Sequence, residues 1–381
     1  MELKQLGIYI HIPFCKQKCY YCDFISYQNK QDIIEEYIEC LCLEINNWKQ
    51  SVNKKKYNVT TIYIGGGTPS YIEPKHISKI LKQLDEFITE DTEITIEINP
   101  GTVTKDKLQE YKKMKINRLS IGLQETHDKI LKTIGRIHNY EEFINTYTLA
   151  RELLFENINI DLMIGLPGQT IEDINESLEK ISKLKPEHIS VYSLILEEGT
   201  NLEKQIEEGK LELPDEETER NMYWYVKNNL EKKGYNHYEI SNFALKGKES
   251  KHNMNCWKQE EYRGFGIAAH SYIGGIRFSN ITNPNVYIEN IKNSKFEKNI
   301  KIHEKQNIET MTKEYMLLGL RTIEGISITA FKNKFKENPI FLFKTELNEL
   351  VDEKLITIKG DYIKLTSKGL DLANLVWEKF V

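Results

Sequence analysis

Near the start of the chain three thiols stand within eight residues, Cys15-Lys16-Gln17-Lys18-Cys19-Tyr20-Tyr21-Cys22, with the spacing C-x3-C-x2-C. Thiolates this close on one loop suit a soft metal ion or an iron–sulfur cluster. Structural zinc sites usually close with four ligands, and no fourth partner stands nearby in the sequence. Three cysteines on a cubane cluster would leave one iron open to a further ligand; the plainer alternative is a structural zinc site.

A second set of candidates follows the apolar runs further on. Gly65-Gly66-Gly67-Thr68-Pro69 is a loop whose backbone N–H groups can approach a carboxylate or phosphate closely. Glu97 precedes Asn99-Pro100-Gly101 and can accept from an ammonium or a ribose hydroxyl. Gln124 ends the run before Glu125, and Arg136 follows a helix later as a bidentate partner for a carboxylate. Asp161 lies inside Ile160-Asp161-Leu162-Met163, where an acid among apolar neighbours has to be paired or face a ligand.

These residues need a scaffold that brings loop ends together. Between residues 7 and 200, short β-like runs (7–12, 60–64, 93–98, 117–122, 157–163 and 188–194) alternate with amphipathic stretches of helical period. That alternation predicts an α/β fold with a parallel sheet, all of whose strand ends lie at one face. Pattern alone leaves an open partial barrel and a doubly wound sheet as alternatives. Cys40 and Cys42 fall on a predicted helix over 32–50 and are read as packing residues. Residues 246–283, rich in Gly, Asn and aromatics, read as loops. Residues 327–381 read as helix, helix, short strands and helix, an order like a small winged-helix unit.

Composition sets outer bounds. In 381 residues, 40% hydrophobic and 29% charged, there is room for a large core and a smaller unit. A net charge of −5 gives no basic field for nucleic acid. No apolar stretch approaches membrane-spanning length and the first residues lack a leader pattern, so the expectation is a cytoplasmic protein.

With these residues in view, the chain resembles the radical S-adenosylmethionine superfamily, through C-x3-C-x2-C after the first strand and Gly-Gly-Gly-Thr-Pro after the second. More narrowly, Tyr9-Ile10-His11-Ile12-Pro13-Phe14-Cys15, Ile121-Gly122-Leu123-Gln124 and Asp161 to Thr170 resemble the oxygen-independent coproporphyrinogen III oxidase family. The resemblance implies a partial (β/α)6 barrel followed by a small winged-helix-like domain. It implies a radical-SAM core over 1–240, a haem-motif loop region over 241–300 and a C-terminal unit over 301–381. It implies a [4Fe–4S] cluster on Cys15, Cys19 and Cys22. S-adenosylmethionine would be held by Tyr9, Tyr21, Gly66, Gly67, Thr68, Glu97, Gln124, Arg136 and Asp161.

That family divides into a decarboxylating oxidase and a haem-chaperone branch. The oxidase carries a further cysteine two residues after the third cluster ligand, where this chain has Phe24, and a long segment ahead of the cluster, where this chain has 14 residues before Cys15. The chaperone branch carries H-N-x-x-Y-W, and here His252-Asn253-Met254-Asn255-Cys256-Trp257 departs from it only at Cys256. The resemblance therefore implies that haem is bound and delivered to acceptor haemoproteins, with His252 on the iron and Trp257 on the porphyrin; Cys256 and His270 are further axial candidates. Dimerisation, and transient membrane contact through a respiratory acceptor, are implied in the same way. Whether the chain is also an enzyme is left open, with coproporphyrinogen III oxidase as the alternative function.

Overall fold

The computed structural model describes residues 3–52 and 56–381; Met1 and Glu2, from the segment read for a leader, lie outside them. Six parallel strands form the centre: β1 (Lys4–Ile12), β2 (Tyr57–Gly66), β3 (Glu93–Ile98), β4 (Arg118–Gln124), β5 (Ile158–Ile164) and β6 (His188–Ser193), hydrogen-bonded in chain order. Helices Ile34–Ser51, Pro74–Leu84, Lys105–Lys113, Tyr140–Glu152 and Ile171–Leu184 connect them. The sequence starts several of these helices with side-chain caps: Thr104 accepts from Lys107, while Asn139 with Glu142 and Thr170 with Asp173 form reciprocal capping boxes.

The strands alternate in character. Ile8, Ile10, Ile62, Ile64, Ile94, Ile96, Leu119, Ile121, Ile160 and Ile189 pack in the main core. The positions between them are polar: Tyr9 and His11, Thr61 and Tyr63, Glu93, Thr95 and Glu97, Arg118 and Ser120, Asn159 and Asp161, His188 and Ser190. Side chains of this second set bond across strands, Tyr63 to Glu97, Ser120 to Asp161, and Asn159 to His188. Helices therefore cover an apolar outer face, and the curved sheet encloses a polar interior.

The sheet does not close. Beyond β6 it continues with β8 (Asn242–Ala244) and β7 (Asn236–Glu239), and beyond β1 with β9 (Glu261–Phe265), β10 (His270–Ile273), β11 (Ile276–Asn280) and β12 (Ile300–Lys305), so the barrel is partial. The region read as loops is thus largely ordered into these strands and a short helix, Lys251–Trp257. The buried Glu44 carboxylate ties the extension to the barrel, accepting from Arg263 Nη2, Gly266 N, Asn280 Nδ2 and the Tyr287 hydroxyl. Cys40 and Cys42 are buried in the core against the sheet.

The C-terminal unit has its own core, including Leu320, Phe331, Leu350, Ile363 and Val376. Its three-stranded sheet runs β13 (Ile326–Ser327), β15 (Tyr362–Leu365), β14 (Ile356–Lys359). Among the described residues, no helix is long and apolar enough to cross a membrane.

Candidate functional site

At the C-terminal ends of the parallel strands lies a cavity of about 530 Å³. Its walls include Cys15, Cys19, Tyr21, Cys22, Gly66, Gly67, Thr68, Glu97, Gln124, Arg136 and Asp161, so the loop cysteines and most of the strand-end candidates meet in one place. Tyr9 stands behind that wall, its hydroxyl on His11 Nδ1 at 3.0 Å and its ring against Tyr63. His252, Trp257, Cys256 and His270 do not reach the cavity.

The cysteine loop is anchored to the sheet from both sides. Cys15 N donates to Tyr27 O, Tyr27 N to Pro13 O, and Tyr20 N to Ile134 O. Thr68 Oγ1 lies 3.5 Å from Cys15 Sγ, and Arg136 Nη1 lies 3.3 Å from Cys19 Sγ. Arg136 Nη2 is fixed in turn by Asn99 Oδ1 and Gly122 O, each at 2.6 Å. Burial pushes the Cys15 thiol up and the Cys22 thiol up to about 11, so a metal bound here has to displace protons. The Arg136 guanidinium is placed to donate to the Cys19 sulfur.

The glycine loop works differently from the expectation. Its amides are taken up within the protein: Gly66 N donates to Glu97 Oε2, Gly67 N to Ile12 O and Thr68 N to Phe14 O. What the glycines provide is proximity. A Cβ on Gly67 would lie 3.0 Å from Cys15 Sγ, and Gly66 adopts φ +114°, a conformation suited to glycine. The loop is thereby drawn flat against the cysteine loop, leaving the cavity open above it.

Glu97 and Asp161 supply the acceptors. Burial raises Glu97 to about 7, while the Tyr63 hydroxyl and the Gly66 amide favour its ionised form. Burial raises Asp161 too, against bonds from Asn159, Ser190 and Ser120. Phe24, 63% exposed, and Ile195 stand at the rim, giving the mouth an apolar edge.

The His252 motif closes the far end of the barrel. The Lys251–Trp257 helix, capped by Ser250, points its first amides, of Lys251 and His252, at the Glu93 carboxylate. His252 is enclosed, its Nδ1 2.8 Å from Thr61 Oγ1 and its ring 5.1 Å from that of Tyr63. Burial lowers it to about 4, so the imidazole is neutral, the form that ligates metals. Trp257 faces the C-terminal unit: the Arg321 guanidinium lies 4.5 Å from its ring and 4.9 Å from that of Trp377. In this conformation His252 is closed off, and the half-buried Trp257 is engaged by the Arg321 guanidinium. Burial pushes the Cys256 thiol up to about 11. His270 is exposed and stacks on His303 at 5.4 Å.

Reading strand ends missed the barrel interior between the cavity and the His252 motif. Asp161 is bonded by Asn159 Nδ2 (2.7 Å), Asn159 Oδ1 by His188 (2.6 Å), and His188 Nε2 meets the Tyr238 hydroxyl (2.8 Å), which accepts from Ser250 N (3.3 Å). The available signal was polar residues at every second place in otherwise aliphatic strands.

Comparison with known proteins agrees with this architecture. The radical SAM superfamily is matched over residues 9–181 and the HemN C-terminal domain over residues 309–372. The chain is 39% identical to a Lactococcus lactis protein named heme chaperone HemW, covering 100% of this chain and 98% of that one. It is 38% identical to the Bacillus subtilis heme chaperone HemW, with 98% of each covered. A zebrafish radical S-adenosyl methionine domain-containing protein 1, mitochondrial, is 32% identical over 98% of this chain and 86% of its own. In fold, the chain superposes on Escherichia coli coproporphyrinogen III oxidase (HemN) with a TM-score of 0.86 at 23% identity, covering 99% of this chain and 90% of that one.

Proposed function

The chain belongs to the radical SAM superfamily and, within it, to the family of the heme chaperone HemW; from that premise we propose that it binds haem as cargo and passes it to acceptor haemoproteins. The observation that carries this reading is similarity along the whole chain, at 39% and 38% identity, to two relatives bearing that name. Phe24 supports it. At the cavity rim an exposed phenyl ring stands where the oxidase resemblance calls for a cysteine.

The superfamily implies a [4Fe–4S] cluster and S-adenosylmethionine, and the donor set fits them. Three cysteines share one wall with a glycine loop, a guanidinium and two carboxylates. Cys15, Cys19 and Cys22 would hold the cluster. Glu97 and Asp161 would accept from the ammonium and hydroxyls of S-adenosylmethionine, and Arg136 would meet its carboxylate. When bound, the pair supplies one-electron reducing chemistry. The protein's own part is to orient these groups, hold Cys19 beside Arg136, and bury Cys15 away from water.

Haem titration of anaerobically reconstituted protein, followed by transfer to an apo-haemoprotein, tests the proposal. A shifted Soret band and a reconstituted acceptor are expected. No spectral change on titration would remove the chaperone reading, and stoichiometric conversion of coproporphyrinogen III to protoporphyrinogen would replace it with the oxidase.

A further inference from the structure

One charged group inside the barrel is unexplained by the contacts of the fold. Arg118 opens β4 and is 2% exposed. Among the described residues its guanidinium makes no ion pair or hydrogen bond, and Nε is a buried donor without a partner. Its register partner on β3, Thr95, carries a buried hydroxyl that is also unpartnered. An isolated charge in a desolvated interior is strongly unfavourable, so its field has to be answered by charges beyond bonding distance.

Three acids line the same inner face, and two of them, Glu97 and Asp161, feel the Arg118 charge. Glu93 lies toward the closed end and is engaged by the amides of Lys251 and His252. Glu97 and Asp161 lie on the cavity wall. Glu97 is faced by the Tyr63 and Tyr9 hydroxyls, Gly66 N and Asp161; Asp161 by Asn159, Ser120, Ser190, Tyr63 and Tyr192. The imidazoles that feel Arg118, His188 and His252, are both held neutral by burial. Tyr238 also lies within its field and is held protonated by burial. Arg118 is thus the one formal cation among these groups. A small anion as its missing partner would meet three carboxylates and is disfavoured.

We propose that Arg118 is a positioning residue for the cofactor pocket: a fixed cation beneath the cavity that holds Glu97 and Asp161 as carboxylates, ready for the ammonium and ribose hydroxyls of S-adenosylmethionine. The inference rests on the reading that the cavity takes S-adenosylmethionine. Its electrostatic direction is consistent, since burial raises both acids and Arg118 opposes that rise. Arg118 touches neither cofactor nor cluster residues; it acts through the two acids.

The test is binding of S-adenosylmethionine to cluster-reconstituted protein by anaerobic equilibrium dialysis between pH 6 and 9. Wild type is expected to lose affinity as pH falls through about 7, where Glu97 takes up its proton. In Arg118→Met the midpoint is expected about one pH unit higher. Affinity would then be about fivefold weaker at pH 7 and within about twofold of wild type at pH 9. Arg118→Lys, which keeps the charge, should retain the wild-type midpoint. A loss of equal size at every pH would overturn the proposal in favour of a merely structural role, and so would an unchanged profile. If Arg118→Met does not fold, a displaced midpoint in Arg118→Lys overturns it as well. Wild type that carries its cluster yet binds no S-adenosylmethionine would overturn the reading of the cavity itself.

Discussion

Replacing Gly67 with alanine would place a methyl carbon 3.0 Å from Cys15 Sγ, 3.0 Å from the Ile12 carbonyl oxygen and 3.0 Å from the Phe14 nitrogen. Two of these three atoms belong to backbone that also bonds the loop, through Gly67 N to Ile12 O and Thr68 N to Phe14 O. The clash therefore cannot be relieved by rotating a side chain; the glycine loop and the cysteine loop have to separate. Overpacking of this kind costs about 1–3 kcal/mol. Taken entirely from folding stability, that lowers the melting temperature of a chain this long by about 1–4 °C. Taken entirely from the cofactor site, it weakens S-adenosylmethionine binding by about 5- to 150-fold. The assays are iron and sulfide content after anaerobic reconstitution, equilibrium dialysis with S-adenosylmethionine, and thermal melting of the same preparations. Gly168→Ala is the control for cofactor affinity alone: a Cβ there meets nothing within 4 Å, and although φ +71° strains alanine and lowers the melting temperature, affinity should stay unchanged. A Gly67→Ala protein with wild-type cluster content, affinity and melting temperature would refute the argument that close approach of the two loops is what the glycine is for.

Cys19→Ala should abolish the cluster and leave the barrel folded, because Arg136 keeps its bonds to Asn99 and Gly122 when Sγ is gone; a product unfolded by circular dichroism would show that the loop is structural. Glu44→Gln should cost about 3–5 kcal/mol, measured by urea unfolding, because it leaves the buried Arg263 without its opposite charge. A loss under about 1 kcal/mol would mean that the remaining bonds of Arg263, to Gly264 O and Ser271 Oγ, satisfy it. Arg321→Ala removes two cation–π contacts, each about 0.5–2 kcal/mol. Amide exchange should rise in the Lys251–Trp257 helix and the C-terminal unit while β1–β6 stay protected, and a uniform rise over the whole chain would contradict the role given to that stack.

The cavity was legible because its residues follow apolar runs, where a polar or glycine-rich break marks a strand end. Asp161 was legible for a related reason, as an acid inside such a run. Arg118, Asn159 and His188 obey the same alternation but sit at or near strand starts, and a rule that looks only at strand ends passes over them. Strands buried on both faces normally read as continuous aliphatic runs; the spacing of Asn159 and Asp161 around Ile160 already showed a polar inner face. Between β10 and β11 the signal was present and outweighed by composition. Ile273-Gly274-Gly275-Ile276 is a two-residue hairpin loop with both glycines at positive φ, in a segment whose glycine and asparagine content suggested no strands at all.

What no spacing could show is that the cavity and the His252 motif share one interior. Tyr63 bonds the cavity acid Glu97 through its hydroxyl and packs its ring on His252. Asp161 reaches the cap of the same motif helix through Asn159, His188 and Tyr238. At the opposite end of that helix, Trp257 is held by Arg321. Nδ1 of His252 is engaged by Thr61, and the helix amides by Glu93. For His252 to meet an iron, the helix has to leave the barrel. Its departure would leave Thr61 and Glu93 unpaired and would loosen the Arg321 stack, at about 1–3 kcal/mol for each buried group stranded. The motif and the cavity therefore cannot be mutated as independent units. A substitution in either should be read out at both, by haem titration and by S-adenosylmethionine binding on the same preparation.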